Sequence, residues 1–110
     1  MRTKNISVNL DLCEILLNKL QTIENCCKAV EGLNYIMTIT SGKDGIHSKN
    51  SLHYVGKAID IRSKDMINID NVCYILRVSL GKDFDIIKEN DHIHIEYDIN
   101  NNYILERRCI

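Results

Sequence analysis

Cys13, Leu16, Leu17, Leu20, Ile23, Cys27 and Val30 recur at helical spacing between Leu10 and Val30, with Asn18, Lys19, Gln21, Glu24 and Lys28 on the intervening positions. Residues three and four apart share one face of a helix, so this pattern predicts an amphipathic helix with one side committed to a core. Asp11 followed by Glu14 has the form of a capping box, and Gly32 supplies a left-handed stop. Tyr35 to Thr40 is aromatic and β-branched, which predicts a strand. Ser41 to Asn50 mixes Gly42, Asp44, Gly45 and Asn50 with charged residues and predicts an irregular loop. Lys57 to Arg62 reads as a second strand. A second helix follows, with Ile69, Val72, Cys73, Leu76 and Leu80 on one face and Gly81 closing it. Phe84 to Lys88 and His92 to Tyr97 are two further strands, and Glu89-Asn90-Asp91 between them is a hairpin-length connection, so they are expected as antiparallel neighbours. The tail from Ile99 to Ile110 carries Ile99, Tyr103, Ile104 and Leu105, enough to dock on a core without specifying its form.

The order helix, strand, loop, strand, helix, hairpin points to an α+β fold, a small and mostly antiparallel sheet with helices packed on it. With 110 residues, 45% of them hydrophobic, the chain supports one modest core, so residues 1–110 are expected to form a single domain with no separate targeting or binding module. No internal repeat, low-complexity tract or linker interrupts it.

Charge narrows the partners. Fourteen Lys+Arg balance fifteen Asp+Glu for a net charge of -1, which gives no field toward nucleic acid or an anionic membrane, and Arg107-Arg108 reads as a solvated terminus. No run approaches the roughly 20 apolar residues of a membrane span. Asn9, Asp11 and Glu14 interrupt what a signal peptide would need as an apolar core, so the expectation is cytoplasmic synthesis. Five cysteines (Cys13, Cys26, Cys27, Cys73, Cys109) are an odd number with no C-x-x-C pair; they read as reduced core residues rather than a thiolate zinc site.

The chemistry lies in the second half of the chain. His92 and His94 alternate on a strand, so both rings project from one face while Ile93 and Ile95 point the other way. On the earlier strand, Asp60 shares its side with Ala58 while Ile59 and Ile61 enter the core. His53 precedes Asp60 by seven positions, and Gly56 between them lets the chain turn from loop into strand. If the two strands lie close, imidazoles and a carboxylate converge. Two imidazoles and one carboxylate suit zinc, and three protein ligands leave a fourth position open for water, the mark of a catalytic rather than a structural site.

Ser51-Leu52-His53-Tyr54-Val55-Gly56-Lys57-Ala58-Ile59-Asp60 matches S-x-H-x-x-G-x-A-x-D, and Asp91-His92-Ile93-His94 matches D-H-x-H about 30 residues later. Together the two motifs resemble the zinc D-alanyl-D-alanine carboxypeptidase family, which includes D-Ala-D-Ala dipeptidases and phage endolysins that cut L-Ala-D-Glu bonds, and whose fold is shared by the Hedgehog signalling domain. The resemblance implies a zinc peptidase acting on the stem peptide of cell-wall peptidoglycan after release from the cell. It implies His53, Asp60 and His94 as zinc ligands, and Asp91, three positions before the last ligand, as the catalytic carboxylate, with Glu89 an alternative at poorer spacing. His92 is implied as a supporting imidazole that steadies the oxyanion without binding metal, and Ser51 as a brace for the loop around His53.

One departure stands out. The family carries an arginine shortly after an S-G pair like Ser41-Gly42, whereas Lys43 and Asp44 follow here. The anion-holding role is thus open among Lys43, a weaker non-bidentate substitute, Arg62 and His47. Two function classes follow: a metallopeptidase, and a zinc-bearing binding module of the same fold without turnover, for which the missing arginine is the best argument. A metal-dependent nuclease fits poorly with the neutral charge.

Overall fold

A computed structural model of the protein describes residues 1–44 and 51–99. Its elements run β1 (Arg2–Thr3), α1 (Glu14–Glu31), β2 (Thr38–Ser41), a 3-10 turn (Leu52–Val55), β3 (Ala58–Arg62), α2 (Ile69–Leu80), β4 (Phe84–Lys88) and β5 (His92–Tyr97). The strands form one five-stranded sheet in the order β1-β2-β3-β5-β4, antiparallel except for the parallel β1–β2 pair. This is the α+β architecture the pattern predicts.

Strand alternation splits the sheet into two faces. Ile59 and Ile61 of β3 and Ile93 and Ile95 of β5 are fully buried, in one cluster with Leu16, Leu20 and Ile23 of α1 and Val72 and Leu76 of α2. By the same alternation Asp60 and Arg62 of β3 and His92, His94 and Glu96 of β5 stand on the opposite face. Each buried isoleucine contributes about 1.5–3 kcal/mol. A slip of one residue would drive the carboxylate and imidazoles into the core, so the apolar face fixes the register of the polar one.

Local differences from the expected elements have identifiable causes. No capping box forms: the N-cap of α1 is Cys13, without a side-chain cap, and Asp11 instead pairs with Lys43 at 3.3 Å. The N-terminal strand β1 was not anticipated, and β2 begins at Thr38 rather than Tyr35, whose hydroxyl donates to Asp65 at 2.9 Å. Gly32 (φ 112°) and Gly81 (φ 82°) close the two helices with N–H groups bonded back to the Lys28 and Arg77 carbonyls, as expected. Glu31 at the end of α1 accepts from the Ile67 and Asn68 N–H groups at 2.8 and 2.7 Å, tying one helix to the entry of the next.

Cys26, Cys27 and Cys73 are buried free thiols, and burial, reinforced by the neighbouring Cys26 and Glu24, pushes the Cys27 thiol up to about 12. Among the described residues no helix is long and apolar enough to cross a membrane. His47 and the tail from residue 100, with Cys109 and Arg107-Arg108, lie outside the described residues.

Candidate metal centre

β3 and β5 are hydrogen-bonded neighbours, and their register sets Asp60 directly opposite His94. His53 arrives from the 3-10 turn. Ser51 Oγ accepts the His53 backbone N–H at 3.2 Å, and Gly56 in the left-handed region (φ 72°, ψ 22°) closes the turn and sends the chain into β3. Gly56 is also pressed against the segment before α1, where the Cys13 N–H donates to its carbonyl at 2.8 Å.

His53 Nε2 lies 3.2 Å from both Asp60 Oδ1 and His94 Nδ1, and His94 Nδ1 lies 3.0 Å from Asp60 Oδ1. The other nitrogen of each ring is already engaged. His53 Nδ1–H donates to the Gly42 carbonyl at 2.7 Å, and His94 Nε2–H donates to Glu96 Oε1 at 2.8 Å. A neutral imidazole that donates from one nitrogen carries a lone pair on the other. Three lone-pair atoms therefore face one another in a pocket where His53 is only 1% exposed. Such a group needs a cation among its members, and His53, Asp60 and His94 are so arranged that they could hold a metal ion.

The electrostatics show the same demand. Burial pushes the Asp60 carboxyl upward, but the imidazoles of His53 and His94 beside it outweigh that and hold the group well below the usual carboxylate range. Burial pulls His94 downward, yet hydrogen bonds to Asp60 and Glu96 raise it to about 9. In the metal-free protein, a proton on His94 is what keeps these acceptors together.

Two supports went unnoticed in the sequence. Glu96 continues the alternation of His92 and His94 on β5, so the pattern H-x-H-x-E could have disclosed it. The Gly42 carbonyl could not be read that way, because its position depends on a register shift between Ile39 and Ser41 and on Asp44, whose Oδ1 accepts the N–H groups of Gly42 and Asn9 at 2.9 and 2.7 Å.

Asp91 and His92 lie beside the centre as a bonded pair. His92 Nδ1–H donates to Asp91 Oδ1 at 2.7 Å, while His92 Nε2 is 3.8 Å from Asp60 Oδ2 and 3.6 Å from Glu89 Oε1. The bond to His92 lowers the Asp91 carboxyl from its ordinary value. Asp91, His92 and Asp60 line a cleft of about 310 Å³ whose cations are Lys4, Arg62 and Lys64. Lys43 is not among the residues lining it; its ammonium is held by Asp11. Comparison with protein-family models and with curated proteins finds no match.

Proposed function

We propose that this protein is a zinc-dependent peptidase of bacterial peptidoglycan, cutting a stem-peptide bond of the D-Ala-D-Ala carboxypeptidase or L-Ala-D-Glu endopeptidase type. The observation that carries the reading is the convergence of three lone-pair atoms, from His53, Asp60 and His94, at separations of 3.0–3.2 Å. Tetrahedral zinc with bonds of 2.0–2.1 Å sets its donors about 3.3 Å apart, whereas calcium prefers six or more oxygens at longer range. Two nitrogens and one oxygen suit zinc, and a three-ligand set leaves one position for solvent or substrate. The motifs that resemble the zinc carboxypeptidases supply the substrate class.

Bound there, zinc supplies Lewis acidity toward a peptide carbonyl and makes water acidic enough to lose a proton near neutral pH. The chain's own residues do the rest. Gly42 and Glu96 hold the two ligand rings in the tautomers that turn Nε2 of His53 and Nδ1 of His94 inward. The Asp91–His92 pair on the cleft wall takes the proton from the attacking water and returns it to the leaving amine. Once the pair has taken that proton, His92 presents Nε2–H to the centre and steadies negative charge growing on the carbonyl oxygen.

The test is digestion of muropeptides by purified protein, with and without a chelator, followed by mass spectrometry. Chelator-sensitive release of a stem-peptide fragment is expected; its absence across pH and added zinc overturns the proposal. A zinc-bearing binding module is the second reading, favoured by Lys43 being tied to Asp11 where the family has its arginine. Asp91→Asn separates the two: a peptidase loses cleavage and keeps its metal, whereas a binding module keeps its partner.

A further inference from the structure

The two histidines of the metal centre must each keep a lone pair turned inward, and they are held by unlike partners. Glu96 holds His94 directly, with a carboxylate. His53 is held by a peptide carbonyl, that of Gly42, and a carbonyl orients a ring only as firmly as its own backbone is fixed. Asp44 does the fixing. Its Oδ1 accepts the Gly42 N–H at 2.9 Å and the N–H of Asn9, 35 positions away, at 2.7 Å, so one oxygen draws two distant segments together. The Lys43 N–H, in the same peptide unit as the Gly42 carbonyl, donates to the Asn9 carbonyl at 2.8 Å. Hydrogen bonds at both ends of one peptide unit fix its plane and strengthen its carbonyl as an acceptor. Burial pushes the Asp44 carboxyl up, but backbone N–H bonds from Asn9, Gly42 and its own peptide, with the charge of Lys4, hold it below its ordinary value, so it is ionised at neutral pH. The segment that Asp44 grips is anchored again on the far side of His53. Asn9 Oδ1 accepts the Asp11 N–H at 2.8 Å, and the Cys13 N–H donates at 2.8 Å to the carbonyl of Gly56, the residue that closes the His53 turn.

We propose that Asp44 is a positioning residue of the metal centre: it sets the Gly42 carbonyl, which keeps the His53 proton on Nδ1 and the Nε2 lone pair facing Asp60 and His94. The other tautomer is close at hand. His53 Nε2 is 3.2 Å from Asp60 Oδ1, so a ring released by Gly42 carries its proton on Nε2 and donates to that carboxylate, which puts a hydrogen where the ion belongs. Zinc must then displace that proton as well as the one on His94. The inference rests on the metal half of the proposed function and is independent of which bond, if any, is cut.

The experiment follows the His53 proton as well as the metal. Long-range proton–nitrogen NMR correlations of the metal-free full chain give the tautomer of each histidine, and competition with a chromophoric chelator gives the zinc affinity. Asp44→Ala should shift His53 from Nδ1–H toward Nε2–H and weaken zinc binding about tenfold or more. Asp44→Asn keeps an oxygen acceptor without its charge, so it should weaken zinc binding about threefold, with Nδ1–H still the major form and its resonance moved upfield as the bond to Gly42 loosens. Asp11→Ala, which breaks the ion pair with Lys43 in the same clasp, should change neither readout. Ile95→Ala, which destabilises the core instead, should leave His53 on Nδ1–H. His53 remaining on Nδ1–H in Asp44→Ala overturns the proposal whatever happens to zinc, as does zinc binding within about twofold of the parent. Should the alanine variant not fold, Asp44→Asn decides: an unmoved Nδ1–H resonance with unchanged zinc affinity overturns the proposal. A parent that binds no zinc, but whose His53 proton moves to Nε2 in Asp44→Ala, would uphold the positioning role while the metal reading fails. Tight zinc binding indifferent to Asp44 would do the reverse.

Discussion

A methyl group added at Gly42 would stand 2.1 Å from the Asn9 carbonyl oxygen, a backbone atom with no flexible end to move aside. The same residue's carbonyl holds His53 Nδ1–H, so Gly42→Ala should act on the core and the site together. We expect a loss of about 2 kcal/mol in denaturant unfolding, the usual scale of overpacking, with zinc affinity falling at least tenfold as the ring loses its anchor. Stability lost with unchanged zinc affinity would show that the carbonyl does not orient the ligand. Glu96→Gln is the complementary probe. Its amide oxygen still accepts from His94 Nε2–H but without charge, so the imidazole becomes a poorer donor, and zinc affinity should drop about 10-fold to 100-fold with little change in folding. Residues of this kind differ in how readable they are. His53, Asp60 and His94 are legible by residue type and spacing, and Glu96 was passed over although it continues the alternation of β5, whereas a backbone carbonyl has no letter in the sequence.

At the scale of elements, what was local was readable. Both helix ends at glycine, α2 over Ile69–Leu80 and the two strands of the terminal hairpin follow from periodicity and turn chemistry within about a dozen residues. What depended on distant partners was not. The two-residue β1 is a strand only because β2 lies alongside it, and the capping box at Asp11 lost its aspartate to Lys43, 32 positions away. The pairing of β3 with β5, on which the centre depends, crosses α2 and β4; the sequence could only make it conditional. Buried isoleucines hold that pairing. Ile95→Ala removes a side chain that is 0% exposed behind His94 and Glu96, and should cost about 3 kcal/mol in urea unfolding. Because the hydrogen bonds of the β3–β5 pair remain, the surviving folded protein should bind zinc within a few-fold of the parent. A collapse in affinity would mean that the apolar face tunes the ligands rather than merely supporting them.

For the molecule as a whole, the metal-free protein and its zinc complex should respond to pH in opposite ways. His94, raised to about 9 in the folded state against about 6.5 unfolded, contributes stability that is fully present below about pH 6.5 and is lost as pH rises through 9. Asp60, held low, contributes stability above about pH 4 that is lost on acidification. The metal-free melting temperature should therefore fall on the alkaline side. Zinc must displace the His94 proton, so its affinity rises with pH over the same interval, and only the folded chain gathers the three ligands. At a hundredfold excess over the dissociation constant, zinc stabilises by about 2.7 kcal/mol, roughly 10–20 °C for a domain of this size. The zinc-induced shift in thermal melting should thus grow from pH 6 to pH 9, be abolished by chelator, and be absent in Asp60→Ala and His94→Ala. It should persist in Asp91→Asn, whose carboxylate touches His92 and not the ligand set. A shift that shrinks as pH rises would mean that zinc does not compete with the His94 proton, and the facing lone pairs at the heart of the site would need another explanation.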